Sequence, residues 1–259
     1  MVVVIYSLVI VIATVLGAIA GLGGGVIIKP LFDLIGAHQA STIGFYSSVA
    51  VFTMCIVSII KQMKRGFQFD IQTIIYISLG SLLGGILGEN IFNYVTSTLE
   101  NNMVQIIQAV LLGITLILIL IYTLNKQKFR HYHIQSKLAM LLVGVFLGGI
   151  SVFLGIGGGP LNVASLMLLF SYEMKEATIY SIATIFFSQV SKLGSIILKG
   201  TLMTFDLSLI PYICISAIMG GYIGTTLNQK LDNKKIERVY IALIIALIGV
   251  SCFNVIKNM

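Results

Sequence analysis

Two glycine-rich stretches contain the residues best suited to binding chemistry: GLGGGVIIKP at residues 21–30 and GIGGGPLNVA at residues 155–164. Each is followed by a short apolar segment, a pattern that predicts a helix that breaks and restarts. The restarted half-helix would present unpaired N–H groups and a positive dipole end, which together bind anions. Close helix crossing is the alternative for one cluster alone, and the repetition favours a site. The candidate anion-binding glycines are Gly23, Gly24, Gly25, Gly157, Gly158 and Gly159.

Polar residues inside apolar segments extend this candidate site. Lys29 follows the first cluster, and an ionisable residue within a membrane segment is a functional candidate by default. The further substrate-binding candidates are Ser47, Ser48, Asn162, Thr184, Ser188, Gln189 and Lys192. Structural alternatives exist for them: Lys29 could pair with Asp33 four residues on, and Lys192 could extend its ammonium to the membrane surface. The serines could bond their own helix backbone.

Other chemistries lack their motifs in this sequence. A dinucleotide fingerprint would need a glycine where Val26 and Pro160 stand, and no phosphate-binding loop of an ATPase occurs. Neither G-x-S-x-G nor H-E-x-x-H is present, and no pair of acids lies within the apolar segments, so we expect no enzyme. The three cysteines lie singly in apolar runs and the three histidines lie in connecting segments. We therefore expect no disulfide, no metal site and no cofactor.

The composition places the chain in a membrane. Of its 259 residues 58% are hydrophobic and 10% are charged, whereas a soluble domain carries about 25% charged residues. Several uncharged runs reach the roughly 20 residues that a spanning helix needs, and they do not alternate as β-barrel strands do. The net charge of +7 comes largely from basic residues at the ends of these runs, which indicates topology signals and no nucleic-acid partner. Residues 2–20 lack a preceding basic region, so we interpret them as a retained helix and not as a signal peptide.

An internal repeat divides the chain into two related halves. The glycine clusters lie 134 residues apart, and Phe69-Asp70 lies 136 residues before Phe205-Asp206. We predict halves at 1–130 and 131–259 that together form one transmembrane domain, a common construction of transporters. Each half is expected to hold four transmembrane helices and a broken or re-entrant segment after its glycines. The predicted helices lie near 2–20, 41–61, 71–93, 103–125, 138–154, 177–198, 206–229 and 236–256, with short segments at 24–36 and 158–170.

Small residues and charges give two further expectations. Gly80, Gly84 and Gly88, and likewise Ser216, Gly220 and Gly224, recur at every fourth position and predict close helix packing.

Four spans per half would make the repeats parallel and place both termini in the cytoplasm with most lysines and arginines. The basic residues at 230–238 violate that arrangement, and inverted repeats follow if the short segments cross fully. The charge pattern favours parallel repeats.

The doubled G-[LI]-G-G-G motif, each copy opening a half of four predicted helices, resembles the sulfite exporter TauE/SafE family of membrane permeases. The stretches GLGGGVIIKPLF and FLGIGGGPLNVA carry the likeness. The resemblance implies transport of sulfur-containing anions such as sulfite, sulfoacetate or other organosulfonates, usually outward. We expect a plasma-membrane transporter that works by alternating access between the two halves. The matching family positions are Gly21, Gly23, Gly24, Gly25, Pro30, Gly155, Gly157, Gly158, Gly159 and Pro160.

The two copies of the motif differ in one respect. Proline follows the glycines directly in the second copy and five residues later in the first, so the copies need not contact substrate equally. The expected partners are a small anion and the lipid bilayer, and a homodimer is left open. An anion channel and a non-transporting accessory subunit are the alternative functions.

Overall fold

The computed structural model describes residues 2–67, 70–129, 132–154 and 158–258. Within these ranges the regular structure is helical, and eight helices are long and apolar enough to cross a membrane. The long helices are α1 (Val2–Ala20), α3 (Ala40–Lys64), α4 (Ile71–Thr98), α5 (Asn101–Leu124), α6 (Lys137–Leu154), α8 (Met174–Leu198), α9 (Ile210–Lys230) and α10 (Asn233–Asn258). The short helices are α2 (Gly25–Ile35) and α7 (Gly159–Phe170). The prediction of an all-α polytopic membrane protein is confirmed.

The distribution of polar and apolar side chains suits a lipid solvent. Leu79, Leu83 and Ile86 of α4 are exposed on the outer surface, while Glu89 on the same helix is buried. Lipid is as apolar as leucine, so the outside of the bundle needs no polar cover, and polar groups turn inward to find partners. The centre of the bundle is therefore the place where buried polar side chains gather.

The helix α2 folds back along α1 and does not continue across the bundle. The Tyr6 ring, near the start of α1, stacks on Phe32, near the end of α2, with 3.7 Å between ring centroids. Its hydroxyl lies 2.9 Å from His38 Nδ1, just beyond α2. The chain thus returns to the face from which α1 started, and α1 with α2 forms a re-entrant hairpin.

The face of the bundle that holds the start of α1 also holds the end of α10. Lys257 Nζ donates to the Leu34 carbonyl at 2.6 Å, and the Ala40 amide donates to Asn101 Oδ1 at 2.9 Å. The first bond joins the end of α10 to the end of α2, and the second joins the start of α3 to the start of α5. We call this surface the terminal face.

The opposite surface carries most of the positive charge. Lys126 pairs with Glu237 at 2.7 Å, joining the end of α5 to the start of α10. The Tyr132 amide donates to the Leu168 carbonyl at 2.8 Å, which places the end of α7 beside the segment that precedes α6. The described lysines and arginines other than residues 29, 192, 199 and 257 lie at helix ends on this surface. We call it the basic face.

The two halves run in opposite directions, so the prediction of parallel repeats is wrong. α1 starts at the terminal face and α6 starts at the basic face, and each returns to its own face through the short helix that follows. Each half therefore makes three full crossings besides its hairpin, and an odd number of crossings inverts the second half. The basic residues at 230–238 did not fit the parallel arrangement. In the inverted arrangement they lie on the basic face with the other basic residues.

Packing between the halves is reciprocal. α1 packs on α9 and α6 packs on α4. A Cβ at Gly84 would meet the Val145 backbone of α6, and a Cβ at Gly224 would meet the Val15 backbone of α1. The predicted close packing at these small residues is confirmed.

Hydrogen bonds at the two faces show the same reciprocity. Tyr46 of α3 donates to the Asp206 carbonyl at 2.9 Å, and the Asp70 amide donates to the Tyr180 hydroxyl of α8 at 2.6 Å. The carboxylates of Asp70 and Asp206 also accept from the backbone two residues on. Such pairings support the two-half division at 1–130 and 131–259, which stays a prediction.

Candidate functional site

The two glycine clusters meet inside the bundle. Gly159, the first residue of α7, lies so close to the Leu22 backbone that a Cβ there would overlap it. α2 has 11 residues, a length of about 16 Å, which is roughly half of the hydrocarbon thickness. The start of α2 therefore lies near mid-depth, and the start of α7 beside it does too.

Glycine is required at both helix starts. Gly24 and Gly158 are the N-cap residues of α2 and α7, with φ of 76° and 66°, in the left-handed region that favours glycine. Gly21 and Gly23 have φ of 71° and 77°. Neither helix start receives a side-chain cap hydrogen bond, so no capping side chain occupies the first backbone N–H groups, although Pro160 leaves the first turn of α7 with one N–H fewer. Gly155 and Gly157 lie outside the described residues.

Ser181 of α8 joins the two clusters. Its hydroxyl donates to the Gly21 carbonyl at 2.7 Å and lies 3.5 Å from the Gly159 carbonyl. The sequence interpretation missed this residue. It lies three positions before Thr184 and seven before Ser188, on the same face of the helix. Extending the search along this polar face by one helical turn would have identified it.

Lys29 forms the ion pair that its spacing allows. Its Nζ lies 2.9 Å from Asp33 Oδ2, and the two residues are 2% and 8% exposed. Asp33 Oδ1, also buried, has no hydrogen-bond partner among the described residues. The ion pair with Asp33, which was the structural alternative for Lys29, is therefore observed. Any role of Lys29 in substrate binding has to involve this ion pair.

Lys192 is buried and does not reach a membrane surface. The residue is 2% exposed, with Nζ 3.4 Å from the Gly44 carbonyl and 5.6 Å from the centre of the Phe92 ring. The alternative that its ammonium extends to the surface is wrong. Glu89 and Lys29 lie near enough for their charges to act on it. Glu89 lies on another helix, α4, so it could not be predicted from the spacing of residues along the helix that contains Lys192.

The remaining predicted residues divide into two groups. Ser48, Thr184 and Ser188 donate to the backbone of their own helices, at 2.7, 3.1 and 2.8 Å, as the structural alternative expected. The second group consists of buried atoms without a partner among the described residues: Ser47 Oγ, Asn162 Oδ1 and Gln189 Oε1. Unpartnered buried polar groups are costly, so these atoms are the better candidates for contact with a ligand or water.

An open cavity lies at the basic face, beside the start of α8 and the ends of α3 and α9. It has a volume of about 640 Å³ and includes Ile179, two residues before Ser181 on α8. Its walls are mostly polar, and the lining residues are Gln62, Arg65, Gly66, Phe67, Glu173, Lys175, Glu176, Ile179, Gln229 and Asn233. We call this cavity the vestibule.

These features define a class: a polytopic membrane protein with two re-entrant helices whose N-termini meet beside buried charges. Such discontinuous helices are typical of transporters. A family model described as "Sulfite exporter TauE/SafE" matches residues 6–251. The chain belongs to the TauE/SafE family of membrane transporters.

Two curated relatives are similar over most of their length. The chain is 28% identical to "Probable membrane transporter protein YunE" of Bacillus subtilis (strain 168), covering 92% of both chains. It is 27% identical to "Probable membrane transporter protein MJ0441" of Methanocaldococcus jannaschii, over 91% of this chain and 89% of that one. No solved structure matches the chain.

Proposed function

We propose that the protein is a secondary transporter of small sulfur-containing anions such as sulfite or organosulfonates. One observation carries the proposal: the uncapped N-termini of two half-helices meet in the middle of the bundle, with two buried lysines nearby. A half-helix start offers N–H donors and a positive dipole end to an anion. Tetrahedral and pyramidal oxyanions present several acceptor oxygens and can use donors from both helices at once.

The proposed binding region lies between the glycines and the lysines. The donors are the first backbone N–H groups of α2 and α7, and Asn162 and Gln189 add amide groups that are buried there. Lys29 and Lys192 supply charge on the side towards the terminal face. The vestibule supplies an aqueous path from the basic face, and access alternates as the glycine region opens to the other side.

We propose that the basic face is cytoplasmic. Loops rich in lysine and arginine stay on that side of the membrane. The termini lie on the other face, where only Lys199 and Lys257 are found among the described basic residues. This orientation places both termini outside the cytoplasm, opposite to the expectation from parallel repeats. The vestibule then opens to the cytoplasm, a state suited to loading an anion for export.

A counterflow screen tests the proposed function. Purified protein in liposomes loaded with unlabelled anion is given a trace of ³⁵S-sulfite, and label accumulation is measured with sulfite, sulfoacetate, thiosulfate or a carboxylate inside. We expect saturable exchange with the sulfur oxyanions and little with the carboxylates. Unitary currents without counterflow would indicate the alternative anion channel. No flux with any of these anions would contradict the proposal and favour an accessory subunit.

A further inference from the structure

A carboxylate that the proposed binding region does not use lies buried between the helices. Glu89 is the charged residue of α4 and is 4% exposed. Its Oε2 atom is buried and has no hydrogen-bond partner among the described residues. A carboxylate that is removed from water without a direct partner is costly in its charged form. Such residues inside membrane proteins are candidates for proton binding.

Lys192 is the cation that faces Glu89. The two residues each lie 18 positions beyond the first residue of their helices, Ile71 of α4 and Met174 of α8. These helices pack against each other and both start at the basic face, so the two side chains lie at a similar depth. The Glu89 charge acts on the Lys192 ammonium, but the ammonium bonds to the Gly44 carbonyl and not to the carboxylate. The two opposite charges therefore face each other without a salt bridge.

The corresponding positions on α3 and α9 hold a neutral contact. Under the predicted two-half division α8 follows α3 by 134 residues, and the segment containing α9 follows that of α4 by 136. Lys192 then occupies the position of Ser58, and Glu89 occupies the position of Thr225. Thr225 Oγ1 donates to Ser58 Oγ at 2.8 Å, and both residues are buried. One of these two related places thus carries an ammonium and a carboxylate where the other carries two hydroxyls.

The other charged groups on the helices around α4 lie farther towards the two faces. α4 packs on α5, α6 and α8. Glu100, just before α5, and Lys199, just after α8, are exposed at the terminal face. α6 carries its charge, Lys137, at its start on the basic face, and α8 has its remaining charged residues in its first turn there. Lys192, on which the Lys29 charge also acts, is therefore the buried charge opposite this carboxylate.

We propose that Glu89 binds a proton and that this proton crosses the membrane together with the anion. An ionised Glu89 offsets the charge of Lys192, so the region attracts an anion weakly. A proton taken from water onto the carboxylate leaves the Lys192 charge uncompensated, which is costly until an anion binds. A water molecule at Oε2 would not have this effect, because it would leave the negative charge in place.

Proton and anion therefore bind together, and both are released to water on the other side, which returns Glu89 to its ionised form. The direction of net transport follows the sum of the two gradients. This coupling rests on the proposed function, whereas the proton site itself does not.

Infrared difference spectroscopy tests the proton site without any anion substrate. Spectra of the purified protein are compared between acidic and alkaline buffers, and the C=O stretch of a buried protonated carboxylic acid is followed. We expect such a band at acidic pH in the unaltered protein and its loss in Glu89→Gln. Two controls should keep the band: Thr225→Val, which removes the hydroxyl at the corresponding position, and Glu100→Gln, which removes an exposed carboxylate.

Transport driven by a pH gradient tests the coupling. Liposomes with an alkaline interior are placed in an acidic medium that contains labelled sulfoacetate, whose sulfonate stays charged and does not cross lipid unaided. We expect the unaltered protein to accumulate label above the outside concentration. Glu89→Gln resembles a permanently protonated carboxyl group, so it should lose this accumulation and keep counterflow, which needs no net movement of protons. A purely structural role for Glu89 would lower both activities together.

The possible outcomes separate the proton site from the proposed function. Undiminished accumulation in Glu89→Gln, or a carboxylic acid band that persists in it, would overturn the proposal. If that variant does not fold, Glu89→Asp keeps the carboxyl group and should shift the pH at which the band titrates, and an unshifted titration would exclude Glu89. Counterflow without accumulation in the unaltered protein would refute proton coupling and leave the anion transporter intact. A band that depends on Glu89, together with no flux of any tested anion, would support the site and contradict the proposed function.

Discussion

The two buried lysines differ in what neutralises them. Lys29 donates to the Asp33 carboxylate at 2.9 Å, whereas Lys192 has no carboxylate at ion-pair distance among the described residues: its Nζ lies 3.4 Å from the Gly44 carbonyl, and the Glu89 charge acts on it from farther away. A carboxylate at hydrogen-bond distance competes with a substrate anion more strongly than a carbonyl does. Lys192 is therefore the lysine more available to an anion, and Lys29 is the one more important for folding.

The first prediction concerns Lys192→Met, which keeps the length of the side chain and removes its charge. We expect the half-saturating concentration of sulfite to rise about tenfold to a hundredfold, since a hydrogen bond to a charged group contributes about 1.5–3 kcal/mol. The measurement is concentration-dependent counterflow at equal protein density. Lys199→Met is the control because Lys199 is exposed and bonds to Asn90. Equal half-saturation in both variants would exclude a substrate role for Lys192.

The second prediction concerns the ion pair in α2. Lys29→Met leaves a buried carboxylate uncompensated, which costs about 3–5 kcal/mol, so we expect a lower yield of folded protein and a lower melting temperature. The double variant Lys29→Met/Asp33→Asn removes both charges and should recover most of the melting temperature. Size-exclusion melting curves in detergent measure this, and a double variant no more stable than the single one would contradict the argument.

Local spacing predicted some of these residues and could not predict others. The Lys29–Asp33 pair lies within one helical turn, so the sequence contains its geometry. Glu89 and Lys192 lie on different helices, and their proximity depends on how α4 packs against α8.

At the scale of elements, the two short helices are what distinguish this bundle from a simple set of spans. Each begins at a left-handed glycine and ends at the face from which its hairpin started.

The third prediction is that Gly158→Ala lowers the maximal counterflow rate at least tenfold. Alanine in the left-handed conformation costs about 1–2 kcal/mol, and its Cβ would lie 2.8 Å from Ser151 Cβ.

Gly194→Ala is the matched control for this substitution. A Cβ at Gly194, within α8, meets nothing within 4 Å, and alanine favours a helix. We therefore expect normal flux and normal stability. Unimpaired flux in Gly158→Ala, at equal protein density, would show that the start of α7 needs no glycine for transport.

The existence of the elements could be predicted from the sequence, but their direction could not. Uncharged runs and glycine clusters located the helices within a few residues, because length and apolarity decide what spans a bilayer. The number of membrane crossings in each half depends on whether residues 25–35 and 159–170 return to the face from which the preceding helix started. The sequence alone did not decide this. The basic residues at 230–238 already argued against parallel repeats, since they join the other basic residues only if the second half is inverted.

At the scale of the whole molecule, the charge asymmetry gives a prediction about orientation. With the three native cysteines replaced by alanine, Glu100→Cys on the terminal face should react with a membrane-impermeant maleimide in intact cells. Gln127→Cys, in the turn that follows α5 on the basic face, should react only after the membrane is permeabilised. Mass shifts on a gel measure both, and the reverse pattern would place the termini in the cytoplasm.

The pairing of α1 with α9 has a consequence for synthesis. α1 ends at Ala20 and α9 is complete only at Lys230. At about 5–20 residues per second during translation, α1 waits on the order of ten to forty seconds before its partner exists. During that time its small-residue surface, shaped to receive Gly220 and Gly224, faces lipid or an insertion factor. The nascent chain therefore has to keep its first helix in the membrane without α9 until nearly the whole protein has been made.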